Sequence, residues 1–310
     1  MRTESESYNH SIATNPLDVS TKDVVYAQQP VARSEREWHP RGRHLINYAE
    51  RVLTWLRRFQ RITPAPGIVK VNLGSGLYVA PGWINVDGSL KTALAGWPRP
   101  LLRLVYPLMS NCSHSCEEFT ELLHSNIFVN HNLQYGVPLP SDSTDYIFTS
   151  HVIHHLYKDQ AHRLLTDIRR VLKPGGTLRV AVPDLEFIIE LYLQGQRERA
   201  IEKYFFYPSA SRSDLSTHYQ YDYVLLKQLL ESAGINNVRR YRCDEGKTPD
   251  LDKLDRLSDE TLFVEAEKQV NVVMNRAVDS GMENPLAHFQ HSRDDTSPTV
   301  DFRWSTSQSS

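Results

Sequence analysis

Residues 71–89, VNLGSGLYVAPGWINVDGS, combine two features that cofactor sites use. The turn Gly74-Ser75-Gly76 lacks bulky side chains, so a ligand can approach its backbone closely. Asp87 closes the apolar run Trp83–Val86 with a carboxylate, which can accept hydrogen bonds from a pair of hydroxyls. Asn72 closes the preceding run, Ile68–Leu73. Further on, Asn132-Leu133, Ser150-His151 and Asp184 stand at the ends of other apolar runs. His151, His155, Asp184 and His218 are the candidates for holding or moving a proton during a reaction. Asp222, four residues after His218, is either a fifth such group or the N-cap of a helix.

Two groups of residues have partial metal-ligand spacing. His151, His154, His155 and His162 recur at helical intervals, and Cys112, His114 and Cys116 alternate in a short segment. The histidines have no obvious acidic partner and the cysteine group lacks a fourth ligand, so no metal is expected. A loop with free thiols and histidines packed at a helix start is the plainer account.

Strand-like and helix-like runs alternate around these residues. Asp145–Ser150 and Thr177–Val182 read as buried strands. Between them Ala161–Lys173 carries Leu164, Leu165, Ile168, Val171 and Leu172 at helical spacing, with Pro174-Gly175-Gly176 as its stop. A helix from about Leu185, another over Tyr223–Ser232, and strands over Asn237–Cys243 and Thr261–Glu265 follow. Alternation of this kind predicts a doubly wound α/β sheet. Such sheets place ligands at the carboxyl ends of their strands, where the polar residues named above are expected. A hairpin accounts for Asn72 and Asp87 alone; one crevice accounts for all of them.

The ends of the chain have a different texture. Residues 1–42 and 269–310 are polar and aperiodic and are expected to be disordered, leaving a domain over 43–268. At its start, Leu45, Ile46, Ala49, Val52, Leu53, Leu56 and Phe59 predict a helix. It is expected to dock by this stripe, in preference to lying on a membrane. With 310 residues and a net charge of −2, the chain shows no global attraction to nucleic acid or anionic membrane. Three cysteines, no apolar stretch long enough to span a bilayer, and an N-terminus without a signal-peptide core predict a soluble cytoplasmic protein.

The turn discriminates between cofactors. A dinucleotide fingerprint wants a third glycine, a helix start for the pyrophosphate and an acid about twenty positions on. Here Pro81 intervenes and Asp87 comes too early, which disfavours a nicotinamide-dependent oxidoreductase. S-adenosylmethionine (SAM) has no phosphate. It needs small residues, a ribose carboxylate and a polar-apolar slot for adenine, which Gly74-Ser75-Gly76, Asp87 and Asn132-Leu133 can supply.

VNLGSG, GWINVD, HNLQYGVPLPSDSTDYIFTSHVIHHL and RRVLKPGGTLRVAVPD, in this order, resemble successive motifs of class I SAM-dependent methyltransferases. They are most similar to a small bacterial type with GWxNVD and SHxxEHL signatures, and HYQYDYVLLKQLLESAG and TLFVEAEK resemble its last helix and strand. The resemblance covers about residues 66–268. It implies a Rossmann-like doubly wound sheet with an antiparallel last strand. It also implies Gly74, Ser75 and Gly76 beside the methionine and ribose of SAM, Asp87 on the ribose, Asn132 and Leu133 on adenine, and Ser150 near the sulfonium.

This sequence departs from the pattern at three points. Asn72 stands where many relatives have an acid, His154 replaces the glutamate of EHL, and the helix between the first two strands has shrunk to LYVAPG. The segment 90–126 is expected to shape the acceptor pocket. By resemblance the acceptor is a sugar or other small-molecule hydroxyl or amine, with His151 or His155 facing it. The alternative is a non-catalytic relative retained as a binding scaffold.

Overall fold

The computed structural model describes Tyr48 and residues 51–109, 112, 114–205, 217–256 and 259–270. The expected tails lie outside the described residues, apart from Gln269 and Val270. Among the described residues, seven strands form one sheet: β1 (Lys70–Leu73), β2 (Ile84–Asp87), β3 (Ile127–Asn130), β4 (Thr144–Ser150), β5 (Leu172–Pro183), β6 (Ile235–Tyr241) and β7 (Thr261–Lys268). Their order is β3-β2-β1-β4-β5-β7-β6. β1 to β5 are parallel to one another, and β7 lies antiparallel between β5 and β6. The chain runs outward from β1 to β3 and returns to β4 on the other side of β1. The order therefore reverses between β1 and β4, which is where a crevice opens in such sheets.

Helices α1 (Leu90–Ala93), α2 (Arg99–Val105), α3 (Cys116–Ser125), α4 (Lys158–Val171), α5 (Leu185–Leu193), α6 (Arg197–Tyr204), α7 (Tyr223–Ser232) and α8 (Leu251–Leu254) connect or flank the strands. The central strands are buried on both faces: Val71, Leu73, Ile147, Leu178 and Val180 are fully inaccessible. This is why they read as continuous apolar runs and not as alternation. The stripe of α4 is buried as its spacing requires, through Ala161, Leu164, Leu165, Ile168 and Val171.

Four local readings change. Pro174-Gly175-Gly176 does not stop α4, which ends at Val171 because Leu172 is already extended and paired with Thr144. The next pair is Tyr146 with Thr177, so Lys173–Gly176 bulge out opposite Asp145, and a proline there removes no ladder hydrogen bond. β6 starts earlier than expected, at Ile235, and β7 continues to Lys268. The insertion folds as α1–α3 with a small core of its own, Leu94, Leu102, Phe119 and Leu123, which takes in Leu77 of the glycine loop. Finally, residues 51–56 are helical; Leu45, Ile46 and Ala49 of the expected stripe lie outside the described residues, and of its remainder Leu56 is 63% and Phe59 76% exposed, not docked.

Candidate functional site

The glycine turn is tied to both strands that flank it. Gly74 N–H donates to the Val86 carbonyl at 2.8 Å, and Gly76 N–H donates to Asp87 Oδ2 at 2.9 Å. Asp87 Oδ1 accepts from Ser89 N–H at 2.7 Å. Each carboxylate oxygen thus holds one backbone donor and keeps acceptor capacity for another. Gly74 and Gly76 have φ of +69° and +54°, a region that side-chain-bearing residues enter only with strain. A Cβ on Gly76 would meet nothing within 4 Å, so space lies over the turn; one on Gly74 would lie 2.1 Å from Val152 Cγ2. Asn72 is buried and uses its amide nitrogen on the Tyr78 carbonyl (2.9 Å) and Asn85 Oδ1 (3.2 Å). It fastens the glycine loop to the strands.

The end of β3 is held beside Asp87 by backbone pairing, with His131 N–H donating to the Asp87 carbonyl at 3.0 Å. Asn132 caps the short 3₁₀ turn Leu133–Tyr135 by accepting from Gln134 N–H, and Leu133 packs on the main core. A Cβ on Gly88 would be 3.6 Å from Asn132 Cα, so the ends of β2 and β3 lie close against one another.

β4 delivers the histidines. Ser150 is its last residue, and His151 turns the chain in the left-handed region at φ +55°. Val152 then lies over Gly74, and a 3₁₀ turn, Ile153–His155, follows in place of the α-helical spacing. The rings of His151 and His154 are 5.5 Å apart edge-on, and those of His154 and His155 are 4.0 Å apart. His151 Nε2 and His154 Nδ1 are buried without a hydrogen-bond partner. Burial pushes the His151 pKa down to about 4, with Arg256 and His155 adding to the effect, and burial holds His154 well below the usual imidazole range. Both rings are neutral near pH 7. His162 stands apart, with Nε2 3.2 Å from the Ser232 carbonyl.

The remaining candidates have structural partners. Asp184 caps α5 through Glu186 N–H at 3.0 Å and pairs with Arg240 at 2.6 Å. Burial raises its pKa, and this outweighs the opposing pull of Arg240. Asp222 caps α7 through Leu225 N–H at 2.7 Å, which is the plainer of its two readings. His218 donates its N–H to the His154 carbonyl and stacks its exposed ring on Tyr157, with centroids 4.1 Å apart. Cys112 packs on the core of the insertion, and the His114 carbonyl accepts from Tyr106 Oη.

Sequence reasoning missed Arg256. Its guanidinium lies 3.1 Å from the centroid of the Tyr78 ring, on the glycine loop, and its Nε is buried without a partner. A segment clamped by Arg179 of β5 delivers it. Arg179, fully buried, donates to the carbonyls of Glu245 (2.6 Å) and Arg242 (3.0 Å) and pairs with Asp255, the residue before Arg256. An arginine inside a strand pattern was the only sequence signal. Among the described residues, Cys243, Asp244 and Asp255 have ligand atoms close enough for a metal, but Asp255 is already engaged by Arg179 and by Asp244 N–H.

Residues 109–180 match the family model of a methyltransferase domain. Among solved structures, the chain is similar to a SAM-dependent methyltransferase from Thermotoga maritima, with 16% identity over 73% of this chain and 91% of that one (TM-score 0.39). It is similar to a SAM-dependent methyltransferase from Archaeoglobus fulgidus, with 15% identity over 73% and 94% (TM-score 0.36). It is also similar to human N-acetylserotonin methyltransferase in complex with SAM, with 15% identity over 74% and 54% (TM-score 0.37). No helix among the described residues is long and apolar enough to cross a membrane. The methyltransferase-domain match thus falls on a doubly wound sheet in which β7 runs antiparallel to its neighbours.

Proposed function

We propose that the chain transfers the methyl group of SAM to a hydroxyl or amine of a small molecule, a sugar being the preferred class, with the reaction at the ends of β1 and β4. The observation that carries this reading is the meeting of Gly74 with Val152, which sets the cofactor turn directly against the histidine segment. Asp87, with spare acceptor capacity, receives the ribose hydroxyls, and the slot between Gly88 and Asn132-Leu133 takes adenine. Ser75 and Ser150 line the path between ribose and sulfonium. Arg256, a half-buried cation with a buried, unpartnered Nε at the glycine loop, answers the carboxylate of the methionine part.

When bound, SAM supplies a methyl group already activated by its sulfonium. The protein aligns the acceptor with that methyl and excludes water, which in favourable systems contributes up to ~7–11 kcal/mol. His151, neutral and with a free buried Nε2, accepts the acceptor's proton or holds its hydroxyl by a hydrogen bond. His155 and His218 are second candidates, and the insertion α1–α3 closes the acceptor side. Asp184, engaged by Arg240 and Glu186, positions α5.

Incubation with methyl-labelled SAM and a panel of sugars, lipid-linked sugars and amines tests the reading. The expected result is a product heavier by one methyl group, lost in His151→Asn without loss of SAM binding. A protein that binds SAM and methylates no member of the panel supports the scaffold alternative.

A further inference from the structure

Charge is unevenly placed along this chain. Between Arg51 and Cys116 the sequence has eight lysines and arginines and one acid, Asp87, in a chain whose total is −2; of these cations Lys70 pairs with Asp250 and Arg99 with Glu121. The same stretch leaves large apolar side chains in solvent: Trp55 (50%), Leu56 (63%), Phe59 (76%), Trp97 (42%), Leu101 (45%) and Leu104 (72%). Single exposed apolar residues are ordinary, but clusters mark interaction surfaces.

Here they are organised. The Arg58 guanidinium lies 3.9 Å from the Trp55 ring centroid and 4.4 Å from that of Phe59, a preassembled basic-aromatic cluster. On α2, Leu102 is buried while Leu101 and Leu104 stay exposed with Arg103 between them. Leu56 and Phe59 line one open cleft of about 560 Å³ with Ala93 and Ala95, so the Trp55–Phe59 segment adjoins the end of α1. Arg58 and Arg61 donate to the carbonyls of Trp55 and Gln60, and no carboxylate among the described residues pairs with either.

Cations interleaved with tryptophan, phenylalanine and leucine suit one partner best. Arginines meet anionic headgroups, while the apolar side chains enter the boundary between headgroups and acyl chains. Nucleic acid would use the cations and could stack on the aromatic rings, but it gives Leu56, Leu101 and Leu104 nothing to bury in. A second copy would bring its own cations against these.

We propose that this face is a peripheral membrane-binding surface that seats on an anionic phospholipid bilayer. Since Leu56 and Phe59 share their cleft with Asn130 at the end of β3, seating would hold the cofactor crevice near the bilayer and give it access to amphiphilic acceptors.

Sedimentation of the full chain with phosphatidylcholine vesicles, with and without phosphatidylglycerol, tests the proposal. Binding is expected only to the anionic vesicles, weakened by salt, with tryptophan emission quenched by brominated lipid. Arg58→Gln with Arg61→Gln should lower the partition more than tenfold, at about fivefold per basic residue. Trp55→Ser with Phe59→Ser should lower it as well. Thermal melts and SAM titration of each variant separate loss of binding from loss of fold, and the salt and lipid dependence of the parent decides independently of any variant. The proposal is overturned if the parent ignores anionic vesicles or binds both kinds equally. It is likewise overturned by variants that partition like the parent, by capture of single-stranded RNA in place of vesicles, or by self-association that Phe59→Ser abolishes.

Discussion

Substituting Gly74 by alanine tests the contact on which the proposed reading rests. Two costs can be worked from the structure. Gly74 has φ of +69°, and holding an L-residue there costs roughly 1–2 kcal/mol. The new methyl would also lie 2.1 Å from Val152 Cγ2, far inside the ~3.5–4.0 Å of a good carbon contact. Valine is stiff at χ1, so relief requires the backbone at 152 to move, and overpacking of this kind costs typically about 1–3 kcal/mol. Gly74→Ala should therefore destabilise the protein by about 2–5 kcal/mol.

Val152→Ala alone removes two methyl groups, worth up to about 1.6 kcal/mol at ~0.8 kcal/mol per buried carbon. In the double variant the clash disappears and the φ strain stays. Urea denaturation of the four proteins should give a favourable coupling of about 1–3 kcal/mol. Because Val152 follows His151, Gly74→Ala should also weaken SAM binding at least tenfold, partly restored in the double variant. Additivity within about 0.5 kcal/mol would refute the claim that the turn and the histidine segment bear on one another.

Three further outcomes follow from the same geometry. Asp87→Ala should weaken SAM binding roughly ten- to hundredfold by calorimetry, from the ~1.5–3 kcal/mol of hydrogen bonds to a charged group. It should also lower stability by about 1–2 kcal/mol, since Gly76 and Ser89 N–H lose their acceptor. Asp142→Asn is the control, because Asp142 sits at φ +53° where asparagine is tolerated and alanine is strained. His151→Asn should cut kcat by about 10²–10⁴ with SAM affinity unchanged, and the parent's rate should fall on the acid side only as pH approaches about 4. The folded pKa lies below the usual 6.5, so the unfolded chain takes up the proton first. Between pH 6.5 and 4 the parent should lose up to about 3 kcal/mol of stability that His151→Asn keeps. Arg179→Met should cost about 3–5 kcal/mol by stranding Asp255 in the interior, and Asp255→Asn added to it should recover part of that in denaturant melts.

What the sequence disclosed of this site, and what it withheld, divides by the range of the interactions. The runs ending at Leu73, Asp87 and Ser150 were legible because strands buried on both faces are written as unbroken apolar stretches. The stripe of α4 was legible because 3.6-residue periodicity is local. The role of Asn72 was not: its side chain faces a loop six residues on, and nothing in its type distinguishes a cofactor ligand from a loop fastener. Pro174-Gly175-Gly176 misled because a helix stop and a strand bulge favour the same residues, and only the pairing of Leu172 with Thr144 separates them. Arg256 was invisible because its place depends on Arg179, 77 positions earlier on a strand. The N-terminal stripe was read correctly as apolar, but periodicity cannot say whether a partner element covers it.

The carboxylates and imidazoles around the crevice divide the work in a way that bears on the acceptor. Every carboxylate proposed for chemistry already holds a structural partner: Asp87 the Gly76 and Ser89 N–H groups, Asp184 the Glu186 N–H and Arg240, Asp222 the Leu225 N–H. Among the described residues, the buried polar atoms left open there include the imidazole nitrogens His151 Nε2 and His154 Nδ1, both ring nitrogens of His131, and Arg256 Nε. An imidazole whose pKa is pushed down to about 4 is neutral at physiological pH but a weak base. Such a group cannot strip a proton from an alcohol before the methyl arrives. It can hold a hydroxyl or amine in line and take the proton as positive charge builds on the acceptor atom during transfer. A sulfonium donor asks for no more than that, because the driving force sits on the cofactor and alignment does the rest. The burial that weakens His151 as a base also keeps it unprotonated and ready to accept a hydrogen bond at pH values well above about 4.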